Sequence, residues 1–218
     1  MINNRKNDSI VEREVAAFID EHLYSDSEFV KSYNRTDTVN EQIKGSDVLL
    51  STTDGRLNNA VVDEKVAATQ ANKWLKTFAL ELSFINRRGE RMCGWFIDTS
   101  KTTEYYLLGW INKADIPYDN EKRKWNTDLI RRDNIRELEW ALVSRKRLYD
   151  FLKERKWTLD RLGRQDAKIR QNGSVKTMEF IDDVTFRYSP QFIEKPINIL
   201  LKRETYISIS DYHGIIYN

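Results

Sequence analysis

Apolar residues recur at helical spacing over 9–24, where Val11, Val15, Phe18, Ile19 and His22 form one stripe. Ser9 fits the N-cap of this helix and Glu12 its capping-box partner. Glu14 sits about 100° around the helix from Val15, on the flank of the stripe. Residues 25–36 are polar and read as loop. Two short apolar runs follow, 48–50 and 61–62, separated by a polar segment that holds Asp54-Gly55, a strong hairpin-turn signal. The stretch 68–76 lacks a strong breaker and reads as helix. Alternation then predicts a strand over 77–86, with Phe78, Leu80, Leu82 and Phe84 on one side and Glu81 on the more polar side. A turn at 87–90 returns the chain as a strand over 92–98, and 104–112 is a further strand. These strands are expected to extend the hairpin's sheet.

Residues 117–125 read as a charged loop, 126–134 as a short helix and 138–143 as a strand. Ser144 caps a helix over 145–156, with Leu148, Phe151 and Leu152 on its buried stripe, and a second helix runs toward Asn172-Gly173. Runs of β-branched and aromatic residues predict strands at 184–188, 197–202 and 205–210. The pattern predicts an α/β protein with a mixed central β-sheet flanked by helices and a C-terminal α+β elaboration. The division falls after residue 143: a core over 1–143, then a basic, helical and β-rich extension over 144–218 in the same compact domain.

Composition narrows the chemistry. The 218 residues include one cysteine, Cys93, and two histidines, His22 and His213. That excludes a disulfide framework within the chain and a Cys-rich zinc site, and argues against a His-rich metal site. The start, MINNRKNDS, has no apolar leader, and no apolar run approaches the roughly 20 residues that span a bilayer, so a cytoplasmic protein without a membrane partner is expected. Net charge is only +2 but uneven: residues 1–64 carry 13 acids against 7 Lys and Arg, whereas 145–170 carry 10 Lys and Arg against 4 acids. An acidic part suits a metal and a basic part suits a polyanion. Arg145, Lys146, Arg147, Lys153, Arg155, Lys156, Arg161 and Arg164 are the candidates for gripping backbone phosphates, unless they are simply a solvated helix surface. Trp125, in the basic stretch EKRKWN, is the candidate for stacking on a base, its alternative being a place in the core.

Within the hairpin, a three-residue loop at 54–56 sets Thr53 opposite Leu57 and, counting back, Asp47 opposite Asp63. Directly opposed residues share a face, with Cβ atoms roughly 5 Å apart. Lys65 falls on the same face, while Glu64 points the other way with Val62 and Val66. Two carboxylates so close need a cation between them, and a divalent metal with an ammonium beside it answers that need. Glu81 is a possible further ligand or orienting group, or else a solvent-facing strand residue. The bland alternative for the whole cluster is a surface hairpin with an Asp–Lys pair.

The helix with Glu14, the segment Gln42-Ile43-Lys44-Gly45-Ser46-Asp47 and the segment Val62-Asp63-Glu64-Lys65 together resemble the PD-(D/E)XK nuclease superfamily, the restriction-endonuclease-like fold. In that family a helix precedes a strand with one Asp, a second strand carries Asp/Glu-x-Lys, and a helix follows. The resemblance covers roughly residues 9–85, and Ser46 stands where the family's Pro would be. It implies a Mg²⁺- or Mn²⁺-dependent endonuclease, acting on DNA. By resemblance Asp47, Asp63 and the backbone carbonyl of Glu64 hold the metal, and Lys65 orients or deprotonates the attacking water or stabilises the developing charge. Glu14 would reach the metal's waters, and Gln42 a water or phosphate. Double-strand cutting with one site per chain would favour a homodimer. The alternatives are a catalytically inactive nucleic-acid-binding protein on the same fold, and a protein-interaction module in which the hairpin is structural.

Overall fold

A computed structural model describes residues 4–36, 44–172, 178–181 and 184–218. In chain order the elements begin with α1 (Asn4–Ile19), a wide helical turn (Asp20–Tyr24), β1 (Val30–Arg35), β2 (Val48–Thr52) and β3 (Ala60–Val66). A single 3₁₀ turn (Ala68–Gln70) leads to β4 (Thr77–Ile85), β5 (Arg91–Cys93) and β6 (Tyr105–Ala114). Next come β7 (Tyr118–Asp119), β8 (Lys124–Trp125), β9 (Ile135–Ser144), α2 (Arg145–Glu154) and α3 (Leu159–Asn172). The chain ends with β10 (Met178–Ile181), β11 (Val184–Tyr188), β12 (Ile197–Lys202), α4 (Arg203–Ile209) and β13 (Tyr212–Tyr217). No helix among the described residues is long and apolar enough to cross a membrane.

The protein is α/β, but its two compact units are interleaved rather than split after residue 143. One comprises Met1–Leu75, Thr103–Val143 and Ser210–Asn218; the other comprises Lys76–Thr102 and Ser144–Ile209. The first holds a six-stranded mixed sheet in the order β1-β2-β3-β6-β9-β13. Strands β1, β2 and β3 form an antiparallel meander, β6 lies parallel to β3, and β13 is antiparallel to β9. The second holds a five-stranded sheet, β10-β11-β12-β4-β5, whose pairs are all antiparallel. Of the three strands expected to extend the hairpin's sheet, 104–112 does so as β6 beside β3, whereas 77–86 forms β4 and 92–98 only the short β5, both in this second sheet.

In the first unit the α1 stripe forms as expected. Val11, Val15, Phe18 and Ile19 are buried, with Leu23 and Tyr24, against Val48, Leu50, Val62, Leu107 and Ile111 of one sheet face. Near the end of the helix the bond spacing widens: Ser25 N–H donates to Asp20 O (2.9 Å) instead of to a residue four back. Such π turns are rare and recur at functional sites. The predicted hairpin register holds from Val48↔Val62 to Leu50↔Ala60. Its turn rests on Gly55 at φ 72° and on Asp54, whose carboxylate accepts from Thr52 Oγ1 (2.7 Å) and Arg56 N (3.1 Å).

Several local expectations fail for physical reasons. The polar segment 25–36 contains β1, which lacks an apolar alternation and is a strand because β2 offers it an edge. Positive φ at Asn72 and Trp74 prevents a helix over 68–76. The segment 126–134 holds two short 3₁₀ turns, Thr127–Leu129 and Arg132–Asn134. The β-branched run 205–210 is largely helix, since β propensity yields to tertiary context. Ser144 does cap α2, accepting from Arg147 N–H.

Candidate functional site

Asp47 immediately precedes β2, and Asp63 and Lys65 lie two residues apart on β3. The Asp63 charge acts on the Asp47 carboxyl, and the charges of both act on Lys65. Lys65 Nζ donates to Asp63 Oδ1 and approaches Glu64 O at 3.4 Å. Asp63 is 3% exposed, whereas Asp47 and Lys65 are half-buried. Asp47 ends the regular ladder: its N–H donates to Val62 O (2.9 Å), and its Oδ2 accepts from Glu64 N–H (2.8 Å). A side-chain oxygen thus stands where a strand carbonyl would, which locks the Asp47 carboxylate toward β3.

Burial pushes the Asp47 carboxyl up to about 7, and the charge and hydrogen bond of Asp63 add to that; Lys65 and the Glu64 N–H oppose it. For Lys65, burial disfavours the ammonium, but the charges of Asp63 and Asp47 outweigh burial and hold it above its ordinary value. Lys65 is therefore a cation here, suited to donating rather than abstracting a proton. Asp47 binds its proton more tightly folded than unfolded, so its contribution to stability is complete below about pH 4 and lost as pH rises through 7. Burial raises Glu64 in the same sense, with Arg35 opposing. In EDTA the urea midpoint accordingly falls from pH 5 to pH 8, and Asp47→Asn flattens that fall.

A cavity of about 770 Å³ opens beside these groups, lined by Ser9, Glu12, Arg13, Ala16, Asp20, Arg35, Asp47, Glu64 and Lys65 among others. Glu12, not Glu14, is the helix acid at this place: it lines the cavity and its charge acts on Lys65. Two residues are about 200° of helix, so Glu14 faces elsewhere and accepts from Arg132 N–H (3.1 Å). The sequence reads Glu12 as a capping residue of a helix that begins at Ser9; the helix begins at Asn4, which makes Glu12 an interior position.

Asp20, Arg35 and Glu64, which line the same cavity, belong with Tyr24 to a group that sequence reasoning missed. Glu64 turns toward α1, as alternation requires, and its carboxylate accepts from Tyr24 OH (2.9 Å) and from Arg35 Nη1 (2.9 Å) and Nη2 (3.2 Å). Arg35 also donates to Asp20 Oδ2 (2.7 Å) and Ala16 O (3.0 Å). Burial disfavours the Arg35 cation, but Glu64 and Asp20 outweigh it and raise its pKa. Burial and the Glu64 charge lift Tyr24 well above the usual phenol range. No local signal reveals these partners, which lie 15 to 40 residues apart.

The remaining candidates scatter. Glu81 is on β4, opposite Asn198, in the second unit's sheet and not in the sheet of Asp47 and Asp63. Gln42 lies outside the described residues. Trp125 packs on the first unit's core with its ring 5.0 Å from Tyr118, a structural position. Arg145 is committed to Tyr149 OH, Lys101 O and Asp98 O, so it ties α2 to its own unit instead of reaching outward. Arg147 points at Ile209 O (3.4 Å), Arg155 stacks on Phe151 (3.6 Å), Arg161 stacks on Trp157 (3.9 Å) and Arg164 pairs with Asp160. Lys146, Lys153 and Lys156 are exposed, with Lys146 paired to Asp150 (2.6 Å).

Among the described residues, no group of three or more His, Cys, Asp or Glu side chains converges as a metal cage. Two carboxylates and one carbonyl do fit Mg²⁺, which keeps several waters and is commonly held by one or two carboxylates. All-oxygen donors are hard and suit Mg²⁺ or Mn²⁺ over zinc. No protein-family model, curated protein or solved structure matches this chain.

Proposed function

We propose that this chain is a Mg²⁺-dependent nuclease that hydrolyses phosphodiester bonds, with DNA as its substrate, on a core of the PD-(D/E)XK kind. The observation that carries the reading is the placement of Asp47 and Asp63 on paired strands, both within electrostatic reach of the Lys65 ammonium, with Asp47 and Lys65 lining an open cavity. The order of helix, antiparallel meander and parallel fourth strand is consistent with that core. A 3₁₀ turn stands where the family has a helix after the Asp-x-Lys strand, so this chain departs from the pattern there.

Asp47, Asp63 and the Glu64 carbonyl would hold the ion. Bound there, Mg²⁺ supplies positive charge for the phosphoryl oxygens and a more acidic water. Lys65 donates hydrogen bonds to the attacking water or to the charge that develops on the phosphoryl group. The Glu64 N–H keeps one Asp47 oxygen in place, which fixes how that carboxylate would be presented to an ion. Glu12 reaches the same cavity from α1 and serves to orient water. As a group acting through water, it is worth about tenfold: Glu12→Gln slows cleavage by about that factor, while Glu14→Gln leaves the rate within about twofold, as expected of a surface change.

The test incubates the protein with plasmid, single-stranded DNA and RNA in Mg²⁺, Mn²⁺ or EDTA. Metal-dependent cutting of DNA supports the reading. Retention of nucleic acid without cutting in either metal points instead to an inactive binding protein, and neither result leaves the hairpin a structural device.

A further inference from the structure

The Glu64 side chain occupies the middle of the Asp63-Glu64-Lys65 triplet, yet it faces away from both neighbours. Its position, between α1 and the sheet, is one an apolar side chain would fill at lower desolvation cost. Instead four polar side chains converge there. Tyr24 and Arg35 both hold the Glu64 carboxylate, and Asp20 with the Ala16 carbonyl holds the far side of the Arg35 guanidinium. The wide turn at Asp20–Tyr24 is the local distortion that carries both Asp20 and Tyr24 in this group. Three elements are thereby tied together: α1, which carries Glu12; β1, which carries Arg35; and β3, which carries Asp63 and Lys65.

The clamp has a direct route to the site. The Glu64 N–H donates to Asp47 Oδ2 (2.8 Å), and the Glu64 carbonyl lies 3.4 Å from Lys65 Nζ. Both polar atoms of that one residue's backbone therefore face Asp47 and Lys65, while its side chain is anchored by Tyr24 and Arg35 on the α1 side, where Glu64 also lines the cavity. Fixing the side chain fixes the rotation of the strand about its axis at this point, and with it the aim of the N–H and of the carbonyl. A guanidinium that makes two bonds to one carboxylate restricts geometry in a way a single contact does not.

We infer that Glu64, Arg35, Tyr24 and Asp20 are positioning residues that set the orientation of the Glu64 backbone, and through it the separation of the Asp47 and Asp63 carboxylates for a divalent cation. The inference rests on the metal-dependent reading of the same site. It assigns the triplet's middle side chain a role distinct from that of its backbone carbonyl.

The test uses the full chain and the double variant Arg35→Met/Glu64→Leu, which removes both charges and refills the volume. Replacing a buried ion pair by well-packed apolar residues often leaves stability unchanged. Mn²⁺ is titrated against parent and variant by electron paramagnetic resonance, and thermal melting is recorded in EDTA. Expected is a melting temperature close to the parent's with Mn²⁺ bound about tenfold more weakly, the size of effect that outer-shell partners have on metal sites. Unchanged Mn²⁺ affinity in the folded double variant overturns the inference. Should that variant fail to fold, Glu64→Gln keeps the shape and, through its one oxygen, the bonds from Tyr24 OH and Arg35 Nη2, while giving up the Arg35 Nη1 bond and the charge. Mn²⁺ affinity then falls by about threefold with melting preserved, and an unchanged affinity again overturns the inference. A parent that binds no Mn²⁺ removes the metal reading itself, and the inference with it, which is a separate result from normal binding in parent and variant alike.

Discussion

Asp63→Asn slows metal-dependent cleavage by about a thousandfold. The substitution preserves shape and removes one of the two charges that would hold the ion. A bound metal contributes several kcal/mol of charge stabilisation in the transition state, and about 4 kcal/mol corresponds to about a thousandfold in rate. The same change acts on its neighbour. Part of what lifts Asp47 toward 7 is the charge on Asp63, so neutralising that charge brings the Asp47 carboxyl down toward its ordinary range. Carbon-detected titration of the Asp47 carboxyl checks that shift independently of any turnover. A rate loss without that shift would mean the two carboxylates do not sense each other in solution. The fold tolerates the variant because the amide still accepts from Lys65 Nζ, although that buried ion pair becomes a neutral contact.

Arg35→Ala unfolds the protein more readily, by about 3 kcal/mol, because it strands Glu64 and Asp20 without their shared cation. Glu64's side chain is 9% exposed and keeps only the Tyr24 hydroxyl, so it is the costlier of the two to leave unpaired. Asp20, at 27%, can recover water. For a chain of this size, such a loss lowers the melting temperature by about 10 °C. The loss shrinks when Glu64 is replaced by Leu in the same chain, because the uncompensated buried charge is then gone. Thermal melting of the single and double variants reads this directly. Equal melting of Arg35→Ala and parent would show that solvent already satisfies Glu64.

The hairpin was legible because two independent signals agree on it. Asp54-Gly55 fixes the turn, and Val48, Leu50 and Val62 must all face α1, which sets the register that brings Asp47, Asp63 and Lys65 together. A shift by one residue would have exposed those apolar side chains. The α1 stripe was legible for the same reason, but its start was not. Residues 4–8 carry no apolar period, so the pattern starts the helix at Ser9 and reads Glu12, which lines the cavity, as a cap. Alternation in Thr77–Ile85 announces a strand without saying which sheet takes it, which is why Glu81 reads equally as a possible companion of Asp47 and Asp63 and as a solvent-facing residue. Arg35 lies in a polar strand that exists only through its pairing with β2, and its partners are dictated by packing alone. The charge run at 145–156 announced a phosphate grip, whereas Arg145 and Arg155 are occupied by their own unit. Counting charges does not distinguish a cation that is already satisfied from one that can bind.

The central claim is that Asp47, Asp63 and Lys65 form a working nuclease site, and one measurement addresses it with least intervention. Parent and Lys65→Ala, purified in parallel, are incubated with supercoiled plasmid in Mg²⁺, with EDTA controls. Expected are nicking or linearisation by the parent in Mg²⁺ alone, and loss of about a hundredfold or more in Lys65→Ala, as for removal of one charge-stabilising donor. Equal cutting by both proteins, or none by the parent in any divalent metal, contradicts it.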